Sequence, residues 1–259
     1  MVLHHLFRQF KLTPLKLDGF QPALPRGALD AAIVDLDGTM VDTLGDFEAA
    51  LNLMLGDLQL PAVTRARIEP LVGKGSEHLI RSVLSLVITA PDAIKLEAVE
   101  THYTVAWTSY QRHYLAINGQ HSRVYPGVVE GLQWLKAQGL KLACLTNKPT
   151  AFAQPLLLSK SLDGYFDLVF GGDAFERKKP DPLPVLKTCA ALCASPQRTL
   201  MVGDSSNDAQ AARAAGCPVV LVTYGYNHGQ SVDVVDCDGR VDSMGHLAQL
   251  RVHKRLPSA

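Results

Sequence analysis

Five short apolar runs, each ending in polar residues and followed by a helical stretch, constrain this chain more than any other feature. They are Ala31-Ala32-Ile33-Val34, Leu140 to Leu145, Leu168-Val169-Phe170, Leu200-Met201-Val202 and Val219 to Val222. Runs of this length and composition suit buried strands, and their alternation with helical segments predicts βα units laid into a parallel sheet. The helices carry their own punctuation. Val128, Leu132, Trp134 and Leu135 form an apolar face that Gly139 closes, and Gly216 closes the stretch from Ala209 to Ala215, the position glycine favours just beyond a helix C-terminus. Open parallel sheets bind ligands at the carboxyl ends of their strands, so the residues after each run are where chemistry is expected.

Between Leu44 and about Val124 the strand signal disappears. Phe47, Ala50, Leu51, Met54, Leu55 and Leu58 recur at helical spacing, and further helices are predicted from Ser76 to Val87 and from Asp92 to Tyr114. Pro126-Gly127 marks the return to the sheet. The expected fold is therefore α/β: a parallel-sheet core of residues 30–43 and 125–259, with a small all-helical cap, residues 44–124, inserted after the first strand. Residues 1–29 contain Pro14, Pro22 and Pro25 without a sustained period, which predicts an irregular extension. A chain of 259 residues has room for such a core and one accessory module.

Composition narrows the function. Formal net charge is +0, so no whole-molecule field draws the chain to nucleic acid or to an anionic membrane, and a small-molecule partner is expected. No apolar stretch approaches the roughly 18 to 20 residues that span a bilayer, and Met1 to Phe20 lacks the pattern of a secretory signal. The five cysteines, Cys144, Cys189, Cys193, Cys217 and Cys237, have neither disulfide nor zinc spacing, which predicts free thiols, a reducing cytoplasm and, for Cys189 and Cys193, a shared helical face. The histidines, His78, His113 and His228 among them, form no metal-spaced set. A monomer or homodimer is expected.

The first run leads into Asp35-Leu36-Asp37-Gly38-Thr39, with Asp42 beyond. In extended chain, residues two apart point to the same side, so Asp35 and Asp37 converge on one site. Two carboxylates that close repel unless a cation or proton intervenes, which points to a hard metal with oxygen ligands, magnesium best of all. Asp35 then has the chemistry to attack phosphorus as a nucleophile, and Asp37 to protonate the leaving alcohol and later deprotonate water. The second run ends at Thr146-Asn147, a hydroxyl and an amide able to donate to a phosphoryl oxygen. Lys179, before Pro180, supplies a positive charge for phosphate and nucleophile, although a lysine there also reads as a solvated one. The fourth run ends at Gly203-Asp204-Ser205-Ser206-Asn207-Asp208. Asp204 is a further candidate metal ligand, Asp208 a residue orienting that ligand shell, and Asn207 or Asp208 also suits a helix N-cap.

Taken in order, these four segments resemble the four motifs of the haloacid dehalogenase-like phosphatases, over roughly residues 30 to 250. The resemblance implies a Rossmann-like core with Mg2+ held by Asp35, the backbone carbonyl of Asp37 and Asp204, and a small phosphorylated metabolite as substrate. Tyr224-Gly225-Tyr226-Asn227-His228-Gly229 is similar to the Gly-Tyr-Asn-Tyr-Gly stretch of bacterial phosphoglycolate phosphatases, which makes 2-phosphoglycolate the first expected substrate, ahead of other sugar or amino-sugar phosphates. His228 replaces a tyrosine of that pattern, and Ser206 stands where an arginine is usual. In the helical insert, Lys74 between Gly73 and Gly75 is a candidate for meeting a substrate carboxylate, with a plain interhelical turn as the alternative. A phosphomutase of the β-phosphoglucomutase kind shares these sites, and a receiver-like regulatory module also collects aspartates at strand ends. A dehalogenase has no need of Asp37 or Asp204.

Overall fold

A computed structural model describes residues 29–249 of the chain. The irregular extension expected for residues 1–29 lies outside the described residues, Leu29 excepted. The strands run β1 (Ala31–Val34), β2 (Val41–Asp42), β3 (Arg123–Val124), β4 (Lys141–Leu145), β5 (Leu168–Phe170), β6 (Thr199–Gly203), β7 (Val219–Val222) and β8 (Gly239–Val241). Six of them form one parallel sheet in the order β5-β4-β1-β6-β7-β8. The strand that carries Asp35 at its end is therefore central, between β4 and β6, with Ala31 opposite both Lys141 and Thr199.

Alternation along each strand explains the two cores. Ala32, Val34, Leu142, Cys144, Leu200 and Val202 face one side of the sheet, where Val128, Leu132 and Leu135 of α5 (Val128–Ala137) and Leu156 of α6 (Thr150–Ser159) cover them. Ala31, Ile33, Ala143, Leu145 and Met201 face the other, under Val185 and Cys189 of α7 (Leu183–Ala191) and Ala209 and Ala212 of α8 (Ser206–Ala215). Strands buried on both faces need continuous apolar runs, which is why these read so clearly. Cys189 and Cys193 do not share a helix: α7 ends at Ala191, and Cys193 is exposed beyond it.

Between β2 and β3 the chain forms a helical insert: α1 (Leu44–Asp57), α2 (Arg65–Ile68), α3 (Ser76–Val87) and α4 (Asp92–Ile117). Its two connections to the sheet are zipped together by the antiparallel β2–β3 pair and by buried Asp46, whose carboxylate accepts from the backbone N–H of Gly119 and of His121 at 2.9 and 2.7 Å. The insert has a core of its own, built on Leu51, Met54, Leu55, Ile80, Leu84 and Tyr110. Phe152 of α6 and Tyr226 join that core, so the insert packs onto the carboxyl end of the sheet. Among the described residues no helix is long and apolar enough to cross a membrane.

Candidate active site

The loop after β1 is held tight by main-chain bonds from Met40 and Val41 N–H to the Leu36 carbonyl and from Gly38 N–H to Val41. Asp35 N–H still pairs with the Val202 carbonyl of β6, which fixes the first carboxylate at the carboxyl end of the sheet. Asp204 follows β6 directly, and its carboxylate is held by two donors. Thr39 Oγ1 donates to one oxygen at 2.9 Å and Tyr226 N–H to the other at 2.8 Å. A Cβ at Gly38, where φ is +81°, would stand 2.3 Å from Asp204 Oδ2, and one at Gly225 2.1 Å from the Asp204 Cβ. Both approaches require glycine.

Lys179 is buried at the carboxyl end of β4, where its Nζ donates to the Leu145 carbonyl and to Asp208 Oδ1, both at 2.7 Å. It also stands 2.9 Å from Asp35 Oδ1 as an ion pair, so the second reading of this lysine, as a solvated one, is set aside. Burial alone would lower the Lys179 ammonium's pKa, but the carboxylates of Asp208 and then Asp35 hold it above the usual range. Asp208 Oδ2 meanwhile accepts from Ser205 Oγ at 2.7 Å and from the N–H groups of Ser205 and Asp204. The N-cap of α8 is thus Ser205, with Asp208 closing a capping box three residues on. Neither Asn207 nor Asp208 is the cap, because Ser205 is the last residue in extended geometry.

Oxygens of Asp35, Asp204 and Asp208 lie within 4.8 Å of one another, all buried. Burial pushes the Asp35 carboxyl up to about 7, with Lys179 pulling down and Asp208 pushing further up. Asp204 is held well above the ordinary carboxylate range, first by burial and then by Asp208 and Asp35. Three carboxylates face one ammonium here, an excess of two negative charges when all three are ionised. Oxygens on opposite sides of a magnesium ion stand about 4.2 Å apart, so the donor set, its spacing and its charge all fit a divalent oxygen-bound cation. Asp35 and Asp204 each keep lone pairs for it, whereas Asp208 is taken up by Lys179 and the capping box.

The remaining candidates divide. Thr146 lines the same chamber, and its Oγ1 accepts from Lys148 N–H at 3.2 Å, which leaves its own proton to donate. Asn147 lines the chamber too, but its Nδ2 already donates to the carbonyls of Gly73 and Lys179 while its Oδ1 accepts from Lys179 N–H. Both amide protons expected for a phosphoryl oxygen are held by carbonyls. Lys74 stands outside, exposed in an adjoining open cleft of about 600 Å³ with His78 and His228. Asp37 lines the chamber in an ion pair with Lys148, 3.0 Å away. Nothing in the sequence distinguishes that lysine from a solvated one. The chamber itself measures about 30 Å³, room for a water or two.

A family model for haloacid dehalogenase-like hydrolases matches residues 32–222, and the chain belongs to that family. It is 42% identical over 220 residues to a phosphoglycolate phosphatase of Thiobacillus denitrificans, covering 85% of this chain and 94% of that protein. It is 43% identical over 223 residues to one of Nitrosospira multiformis, covering 86% and 95%. Among solved structures, that of a predicted phosphoglycolate phosphatase from Haemophilus somnus has a TM-score of 0.79 at 32% identity, covering 87% of this chain and 99% of that one. The chain is a phosphatase, and its parallel sheet with inserted helices is the fold of these relatives.

Proposed function

We propose that the chain hydrolyses 2-phosphoglycolate, ahead of other small sugar or amino-sugar phosphates, through an aspartyl-phosphate formed on Asp35 in a Mg2+-dependent reaction. The observation that carries this reading is the convergence of Asp35, Asp204 and Asp208 on one point with Lys179 against Asp35. Relatives of matching length that are phosphoglycolate phosphatases support the substrate. We assign Asp35, Asp204 and the backbone carbonyl of Asp37 as the residues that would hold Mg2+, with Asp208 orienting the site. When bound, the ion would offset phosphoryl charge and the repulsion between carboxylates.

The chain's own residues then divide the work. Asp35 oxygen bonds to phosphorus as the ester oxygen departs, and Asp37 gives that oxygen its proton. In the second half, water attacks phosphorus, Asp37 takes the water's proton, and the Asp35 carboxylate is released with inorganic phosphate. Lys179, whose three protons meet Asp35, Asp208 and the Leu145 carbonyl, acts on the transferring group through its charge, the Thr146 hydroxyl donates to it, and Asn147 braces the Lys179 segment. Lys74 is assigned to the substrate carboxylate at the entrance, where its exposure and the cleft beside it support the role.

The test is kcat/KM across phosphorylated metabolites, with released phosphate as the readout. A preference for 2-phosphoglycolate, lost in chelator and narrowed in Lys74→Ala, is the expected result. A sugar phosphate isomerised without phosphate release would replace this reading with a phosphomutase, and no turnover of any ester would favour a regulatory module.

A further inference from the structure

Lys148, three residues beyond the end of β4, is a lysine almost without water, 3% exposed. Lysine is rarely buried to this degree unless paired. Its Nζ donates to both oxygens of Asp37 at 3.0 and 3.2 Å and to the Tyr114 hydroxyl at 2.6 Å. The same ammonium lies 4.6 Å from the ring centre of Phe47 and 4.7 Å from that of Tyr114. An ammonium has three protons, and three hydrogen bonds account for them. Lys148 therefore has no donor left over for a substrate phosphate, and whatever it does in the reaction passes through Asp37.

The partners come from two parts of the molecule. Asp37 belongs to the loop after β1, whereas Phe47 and Tyr114 belong to α1 and α4 of the insert. Tyr114 cannot shift alone: its ring stacks on Tyr110 at 5.4 Å and on Phe47 at 5.7 Å, and packs against Phe152 at 4.8 Å. Burial holds its hydroxyl well above the usual phenol range, so it meets the ammonium as a neutral acceptor. An aromatic box carried by the insert thus presses a core lysine onto the carboxylate assigned to proton transfer. If the insert lifts, the box leaves with it.

We propose that Lys148 is a positioning residue for proton transfer, orienting Asp37, and that Tyr114 and Phe47 make this orientation depend on the insert being seated. The inference rests on the reading of Asp37 as the acid–base group. A proton is needed by a departing alkoxide but scarcely by a departing nitrophenolate. Because kcat/KM reports steps up to the first irreversible one, comparing the two leaving groups isolates the acid's contribution.

The experiment measures kcat/KM of the full chain with Mg2+, using 2-phosphoglycolate and para-nitrophenyl phosphate, for Lys148→Met, Tyr114→Phe and Asp37→Asn. Expected losses on the alkyl ester are about 100-fold for Lys148→Met and about 10-fold for Tyr114→Phe, with less than about 3-fold for either on the nitrophenyl ester. Equal losses on both esters would mean a plain anchor between insert and core and would overturn the proposal, as would no loss in either variant. Tyr114→Phe removes one oxygen and keeps the ring, so it decides the matter even where Lys148→Met folds poorly. Asp37→Asn separates the two levels. Without a leaving-group-selective loss there, the acid–base reading itself falls; with one there and none in the other variants, only the role of Lys148 falls.

Discussion

Asp35 and Lys179 show how strongly individual residues at this site depend on one another. The ammonium is shared between Asp35 and Asp208 at 2.9 and 2.7 Å, with its side chain 2% exposed. Removing one member of a buried ionic group leaves the others uncompensated, which typically costs about 3–5 kcal/mol. Lys179→Met is expected to lower the denaturation free energy by about that much, read from urea midpoints, and adding Asp35→Asn to it should recover part of the loss. Complete additivity of the two changes would argue that they are not in contact. Asp35→Asn alone removes the nucleophile and one member of a repelling set. Turnover should fall by about 10⁴-fold or more, while the Tm without metal stays at or above that of the parent. Undiminished phosphate release would refute the nucleophile assignment.

At the scale of elements, the Gly73 carbonyl is one of the points at which the insert is tied to the core. Gly73 accepts from Asn147 Nδ2 at 3.0 Å and from Asn207 Nδ2 at 3.1 Å. A net hydrogen bond contributes about 0.5–1.5 kcal/mol, so Asn207→Ala should raise hydrogen exchange at the Gly73 to Ser76 amides by about two- to twelve-fold with little change in global Tm. Unchanged exchange would show that this contact does not limit opening. Neither asparagine contact was legible in the sequence, because each joins segments far apart in the chain. What was legible followed from burial on both faces: β1, β5 and β7 lie where their apolar runs place them, and α3 spans Ser76 to Val87. The edge strand β8, Gly239-Arg240-Val241, and the two-residue strands β2 and β3 carry no pattern long enough to read. Helix α4 continues to Ile117, past the expected Tyr114, until Asn118 leaves helical geometry and Gly119 turns at φ +89°. Asp35, Asp37, Asp204 and Asp208 were visible because strand ends are predictable positions for ligands. Lys148 was not, since only the rings of Phe47 and Tyr114, brought in by the insert, make its position dry.

For the whole molecule, the excess of two negative charges at the sheet's centre links stability, pH and metal. Asp35 is pushed up to about 7 and Asp204 well above its ordinary value, each chiefly by burial. A carboxyl whose folded pKa exceeds its unfolded value, about 3.9 for Asp, contributes stability that is fully present below the unfolded value. That contribution is lost as pH rises through the folded one. In the metal-free protein, Asp35 should therefore weaken the fold progressively from about pH 4 to about pH 7, and Asp204 adds to that loss as pH rises through its own raised pKa. A divalent cation requires the same carboxylates deprotonated, so its binding releases protons and its stabilising effect grows across that window. At about a hundred-fold excess over Kd, binding contributes about 2.7 kcal/mol, which for a domain of this size corresponds to a Tm gain of roughly 5 to 10 °C. Thermal scans with and without Mg2+ should show that gain near pH 8 and little of it near pH 5. In Asp204→Asn the gain should shrink, and its remaining pH dependence should follow Asp35 alone, because one of the two titrating ligands is gone. A gain that is the same at both pH values in the parent would mean that the cation does not meet these carboxylates, and that their charge is balanced by protons alone.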